Sequence, residues 1–132
     1  MTEKLDFYRC KVCGNTVQVI IDGFGELVCC QQPMELLKPN KQENVTTEYH
    51  IPVYKQDENN NMFIQVGQEL HPMTEEHHIE FIETVSGDKK VIKLRYLLPP
   101  EEAKISVCKV DEGEKAIELC NIHGLWEGKS NE

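Results

Sequence analysis

Four of the six cysteines fall within the first thirty residues, as Cys10-x-x-Cys13 and the adjacent pair Cys29-Cys30, and this crowding limits what the segment can become. About forty residues bury too little apolar surface to hold a fold unaided, so such a unit needs a metal, disulfides or association. The opening MTEKLDFYRC places charged residues ahead of any apolar run, which predicts no export signal and a cytoplasmic setting. Reducing compartments keep thiols free, so metal ligation is the expected use of these four. A C-x-x-C turn aims backbone amides at its sulfurs, and four thiolates suit tetrahedral zinc or iron. The side chains of adjacent residues diverge, so Cys29 and Cys30 reach one metal only under strain. A structural zinc site would avoid that strain; a zinc knob and a Cys29–Cys30 disulfide stand as alternatives.

Composition separates two segments. Residues 1–37 hold those four cysteines and no histidine, with Val17–Ile21, the turn Asp22-Gly23-Phe24-Gly25 and Leu27-Val28 reading as a hairpin. Lys38 to Asn44 is polar and reads as a linker. Residues 38–132 hold all five histidines and short strand patterns: His50–Tyr54, Met62–Val66, His77–Val85, Val91–Leu98, Ile105–Val110 and Ala116–Leu119. Strands at that spacing predict a β-sandwich. Net charge of −9 argues against nucleic acid or an anionic membrane surface as the main partner. No stretch approaches the roughly 20 apolar residues that a membrane-spanning helix needs.

The second segment concentrates its unusual residues in Glu48-Tyr49-His50-Ile51-Pro52, His71-Pro72-Met73-Thr74-Glu75-Glu76-His77 and Cys120-Asn121-Ile122-His123-Gly124. Singly, each histidine reads as a hydrogen-bonded structural residue. Together they gather four imidazoles and a thiolate, a mixed set that suits iron, copper or zinc. Alternation places His77 with Ile79, Phe81 and Val85, and His78 on the other face with Glu80, which marks His78 as an exposed bystander. Cys108 has no nearby histidine and reads as a spare thiol.

The cysteine segment, with Pro33-Met34 following, resembles the desulforedoxin domain. The later motifs resemble the E-x-H-x-P, H-P-M-x-x-x-H and C-N-x-H-G signatures of neelaredoxin. In this order, over nearly the whole chain, they resemble desulfoferrodoxin, the two-iron class of superoxide reductase. The resemblance implies an all-β protein: a small rubredoxin/desulforedoxin-like metal-binding domain (1–37) followed by an immunoglobulin-like β-sandwich (38–132). It implies two iron ions per chain, one held by Cys10, Cys13, Cys29 and Cys30. The second would be held by His50, His71, His77 and His123 around the metal, with Cys120 axial and the sixth position left for superoxide. It further implies a homodimer joined partly through the small domains, and a rubredoxin-like or other reductase as electron donor. Glu48 stands where the family carries a glutamate able to occupy the vacant position of oxidised iron. The next position usually carries a lysine that attracts superoxide, and here it is Tyr49. Competing expectations are a non-enzymatic electron carrier and a zinc-stabilised interaction protein.

Overall fold

A computed structural model describes residues 1–43 and 49–130. The chain divides into two compact units, Met1–Lys38 and Pro39–Glu132, and among the described residues it is built of strands and turns, with no helix.

In the first unit, β1 (Phe7–Arg9) lies between β2 (Thr16–Gln18) and β5 (Glu35–Leu37), antiparallel to both, while β3 (Val28–Cys29) pairs with β4 (Gln32–Pro33). The expected hairpin across Asp22–Gly25 is therefore not how these strands pair. Each cysteine turn folds the chain back on its immediate neighbour, so Thr16–Gln18 returns to β1 and Gln32–Pro33 to β3. Ile20 and Ile21 are left in an exposed bend. Phe7, Cys10 and Val19 are buried, a very small apolar centre.

Among the described residues, the second unit is a seven-stranded antiparallel sandwich. One sheet runs β10 (Lys104–Val107), β7 (Met62–Val66), β6 (Pro52–Gln56); the other runs β12 (Gly124–Lys129), β11 (Lys115–Cys120), β8 (Ile79–Val85), β9 (Ile92–Tyr96). Taken in chain order as A to G, these are an A-B-E sheet and a G-F-C sheet extended by the strand after C, an immunoglobulin-type arrangement. Tyr54, Ile64 and Val66 from one sheet meet Ile79, Ile82, Ala116 and Cys120 from the other. Each fully buried aliphatic side chain there is worth about 1.5–3 kcal/mol over its exposed state.

Two departures from simple alternation matter. Cys120 sits opposite Ile79 while Leu119 sits opposite Phe81, so β8 carries one extra residue there. That bulge lets Ile79 and Ile82 share the core face, which strict alternation forbids. In β9, Lys93 is opposite Thr84 and Arg95 opposite Ile82, so the charged residues occupy the core-side face of this edge strand. Its apolar residues Leu94 and Tyr96 face outward, Tyr96 being 78% exposed. β12 was not foreseen in the sequence, although Leu125 and Trp126 at its centre are buried.

Candidate metal centres

The first cluster is built by two turns. Gly14, with φ of +83°, donates its N–H to the carbonyl of Cys10, closing the Cys10–Cys13 turn. The Cys10 Sγ then accepts from the amides of Val12 (3.4 Å) and Cys13 (3.5 Å), and the Cys13 Sγ accepts from the amide of Asn15 (3.4 Å). On the other side, Cys30 and Gln31 take φ values of 51° and 65°. This left-handed backbone, costly for residues with a Cβ, is how adjacent cysteines direct both sulfurs to one point. The Cys29 Sγ lies 3.7 Å from that of Cys13 and 4.0 Å from that of Cys30. None of the six cysteines is in a disulfide, so no Cys29–Cys30 bridge is present.

These thiols fit a cation and fit each other poorly. The Cys13 and Val12 amides hold Cys10 at about 6, against an ordinary value of 9.0, with the Cys13 amide the larger influence. The neighbouring thiols of Cys13, Cys10 and Cys29 push Cys30 up to about 12. Four such groups can all be thiolates only around a positive charge, which a tetrahedral zinc or iron ion supplies.

The second cluster lies at one end of the sandwich. His50 precedes β6, His71 and His77 bracket the loop before β8, and Cys120 and His123 flank the tight turn between β11 and β12. His50 and His77 thus stand on the loops leading into strands, not within them as the sequence suggested. Asn121 ties the two ligand loops together: its side chain accepts the His78 N–H (2.9 Å) and donates to the Glu76 carbonyl (3.0 Å). The Thr74 hydroxyl and the His77 backbone bond reciprocally.

The four imidazoles form a closed ring. Centroids are 4.7 Å apart for His50–His71, 4.6 Å for His71–His77, 5.2 Å for His77–His123 and 4.9 Å for His123–His50, with planes steeply inclined. Nε2 of His50 lies 3.1 Å from Nε2 of His71 and 3.2 Å from Nδ1 of His123. The Cys120 Sγ is 3.7 Å from the His71 Nε2 and 3.9 Å from the His123 Nδ1, and accepts the His123 N–H at 3.4 Å. One donor atom from each of the five lies within 4.8 Å of all the others. His50, His71 and Cys120 are buried, whereas His77 and His123 are half-buried. Burial, then the charges of His71, His123 and His77, hold His50 down at about 4. Facing lone pairs in a buried pocket, together with a thiol, fit a metal ion of intermediate softness. Five donors exceed the four of a structural zinc site.

Other sites expected from the sequence fall as follows. Tyr49 is exposed beside His50, backed by Gly67, where an added Cβ would come within 2.5 Å of the Tyr49 carbonyl. Glu48, and Asn44 at the end of the expected linker, lie outside the described residues. His78 is half-buried rather than exposed: its Nδ1 lies 2.9 Å from the Thr74 carbonyl and its Nε2 3.3 Å from Glu80. It stands outside the five-residue cluster, as does the exposed Cys108. The sequence reading passed over Trp126, whose ring stacks on His50 at 4.6 Å and 15° and whose Nε1–H donates to the His123 carbonyl at 3.1 Å. Being the sole tryptophan, three residues beyond a proposed ligand, was the available signal. It also missed Glu118, fully buried, whose carboxyl is raised well above 4.5 by desolvation and then by Glu43.

A four-sulfur cluster in a small unit, with a four-imidazole, one-sulfur cluster at the end of an immunoglobulin-type sandwich, defines a class of two-centre metalloprotein. The family model "Desulfoferrodoxin, N-terminal domain" matches residues 2–37 and "Desulfoferrodoxin" matches 41–129. The chain belongs to the desulfoferrodoxin family. It is 41% identical to a desulfoferrodoxin homologue of Archaeoglobus fulgidus, covering 96% of this chain and 98% of that one. It is 31% identical to a superoxide reductase of Pyrococcus abyssi, covering 62% and 85%. The crystal structure of the superoxide reductase from Treponema pallidum shares the fold, with a TM-score of 0.70 and 23% identity over 96% of this chain and 98% of that one. The two clusters fit two iron sites.

Proposed function

We propose that the second unit reduces superoxide to hydrogen peroxide at ferrous iron held by His50, His71, His77, His123 and Cys120. The observation that carries this reading is the closed ring of four imidazoles over one sulfur, reaching the surface through its half-buried members. When bound, iron in this set supplies the single electron that superoxide takes up. Two protons complete the product: superoxide, one electron and two protons give hydrogen peroxide, and no dioxygen forms.

The protein side of the chemistry is electrostatic and positional. Four neutral imidazoles and one thiolate leave a divalent ion with one net positive charge, so the centre attracts a small anion although the chain carries −9. The His123 amide donates to the Cys120 sulfur and fixes where its charge points. We assign catalytic roles to Glu48 and Tyr49. Tyr49, exposed beside His50, offers a hydroxyl that donates a hydrogen bond to the incoming anion.

The Cys10, Cys13, Cys29 and Cys30 centre has no spare ligand position in this reading and stores or passes electrons. An external donor, rubredoxin-like or another reductase, restores the ferrous state. Six cysteines outside any disulfide suit a cytoplasmic setting. No helix among the described residues is long and apolar enough to cross a membrane. A homodimer is supported by the first unit's exposed Ile21 (86%) and Phe24 (92%), which association would cover.

Iron-loaded, reduced protein given superoxide in pulses should yield one hydrogen peroxide per superoxide without dioxygen. Dioxygen evolution at half that peroxide yield would mean dismutation and would overturn the assignment.

A further inference from the structure

Ligating histidines are ordinarily oriented by the ring nitrogen that does not face the metal, which donates to a carbonyl or carboxylate. His71 follows this rule, its Nδ1 lying 2.8 Å from the Pro72 carbonyl. His50 does not. Its Nε2 faces the cluster, and its Nδ1 is buried with no hydrogen-bond partner among the described residues.

Two other contacts restrain it. The indole of Trp126 lies against the His50 ring, with centroids 4.6 Å apart and planes within 15° of parallel, so rotating the imidazole would drive it into the indole. Trp126 is itself 1% exposed, held in β12 opposite Glu118 and bridged to Asn40. The second contact is to the backbone. The ladder between β6 and β7 begins at Pro52–Val66, so the N–H groups of His50 and Ile51 fall before its first rung. Glu43 replaces the missing strand: both its carboxylate oxygens accept from the His50 N–H (2.8 and 2.9 Å), and one also accepts from the Ile51 N–H (2.8 Å).

We propose that Trp126 and Glu43 are positioning residues for the second metal centre, Trp126 setting the plane of the His50 ring by stacking and Glu43 anchoring its main chain. This rests on the second cluster holding a metal. The Trp126 Nε1–H, bonded to the His123 carbonyl, extends the same restraint to a second ligand loop. Supporting contacts of this kind typically account for about 10- to 100-fold in metal affinity or activity.

The test compares wild type with Trp126→Phe, Trp126→Leu and Glu43→Ala by chelator-driven iron release, with the four-cysteine iron of the same molecule as internal reference. Trp126→Leu and Glu43→Ala should each release the second iron about tenfold faster. Trp126→Phe, which keeps a stacking face, should stay within about twofold of wild type. Release of the four-cysteine iron should be unchanged throughout. In metal-free protein, the His50 ring protons should be shifted upfield by the indole in wild type and lose that shift in Trp126→Leu. Wild-type release in both Trp126→Leu and Glu43→Ala overturns the proposal, as does Trp126→Phe failing as badly as Trp126→Leu. Should Trp126→Leu not fold, Glu43→Ala decides alone. Wild type that takes up no metal at the second cluster overturns the functional reading instead; the proton shifts of the metal-free protein still decide the positioning.

Discussion

His123 meets the cluster through Nδ1, 3.9 Å from the sulfur of Cys120 three residues before it, whereas His50 and His71 meet it through Nε2. The difference follows from chain length. A residue three positions from its co-ligand on a tight turn lies too close for the far ring nitrogen to reach the same point, and the near nitrogen serves. The Cys120–His123 turn is therefore a preformed bidentate claw, and the remaining histidines are brought to it by loops from elsewhere in the sandwich.

Separation of the two units' chemistry predicts that Cys13→Ser removes the first iron while most superoxide reduction survives. Cys13 is exposed, and its loss leaves three thiols on the first turn pair. Visible spectra and pulse radiolysis on the same sample check this. An inactive variant with an intact second iron would make the first centre an obligatory relay.

The family resemblance implies a lysine at the position that Tyr49 occupies in this chain. Restoring a cation there should accelerate capture of an anion, and the gain should shrink with added salt. We expect Tyr49→Lys to react several-fold faster with superoxide at low ionic strength. Stopped-flow rates equal to wild type would remove the steering argument.

Gly67 has φ of +83°, and an added Cβ would come within 2.6 Å of the Tyr49 Cβ as well as 2.5 Å of its carbonyl. Gly67→Ala should therefore destabilise the second unit by about 1–3 kcal/mol and disturb the approach to His50. A thermal midpoint unchanged from wild type would contradict the close approach.

The pH dependence of the metal-free protein follows from His50. Its folded value of about 4 is below the ordinary 6.5, so between those limits the unfolded chain takes up a proton that the folded chain refuses. Stability from this group is fully present above about 6.5 and is lost as pH falls toward about 4. His50→Gln should flatten that slope in urea titrations; an equally steep slope in the variant would assign the effect elsewhere.

Much of the site was legible because metal ligation leaves short, local marks: Cys10-x-x-Cys13, Cys120-x-x-His123 and the histidines at 71 and 77. The fold class was legible from strand spacing. What escaped notice depends on long-range packing. In β9 the apolar alternation is genuine but faces outward, since an edge strand need not bury its apolar side. The bulge opposite Leu119 and Cys120 shifts which residues of β8 line the core, and no local pattern announces it. Glu43 sits in a stretch that reads as a polar linker; its role exists only because His50, seven residues on, lies before the first rung of a ladder. Glu118 alternates like any strand residue, and only the folded sandwich buries its carboxyl.

Anomalous diffraction at the iron edge from crystals of the reduced protein tests the central claim most directly. Two iron peaks per chain are predicted, one enclosed by Cys10, Cys13, Cys29 and Cys30, the other bonded to His50, His71, His77, His123 and Cys120 with the position opposite sulfur free of any protein atom. A single peak, or a protein side chain bound opposite Cys120 in the reduced state, would contradict it.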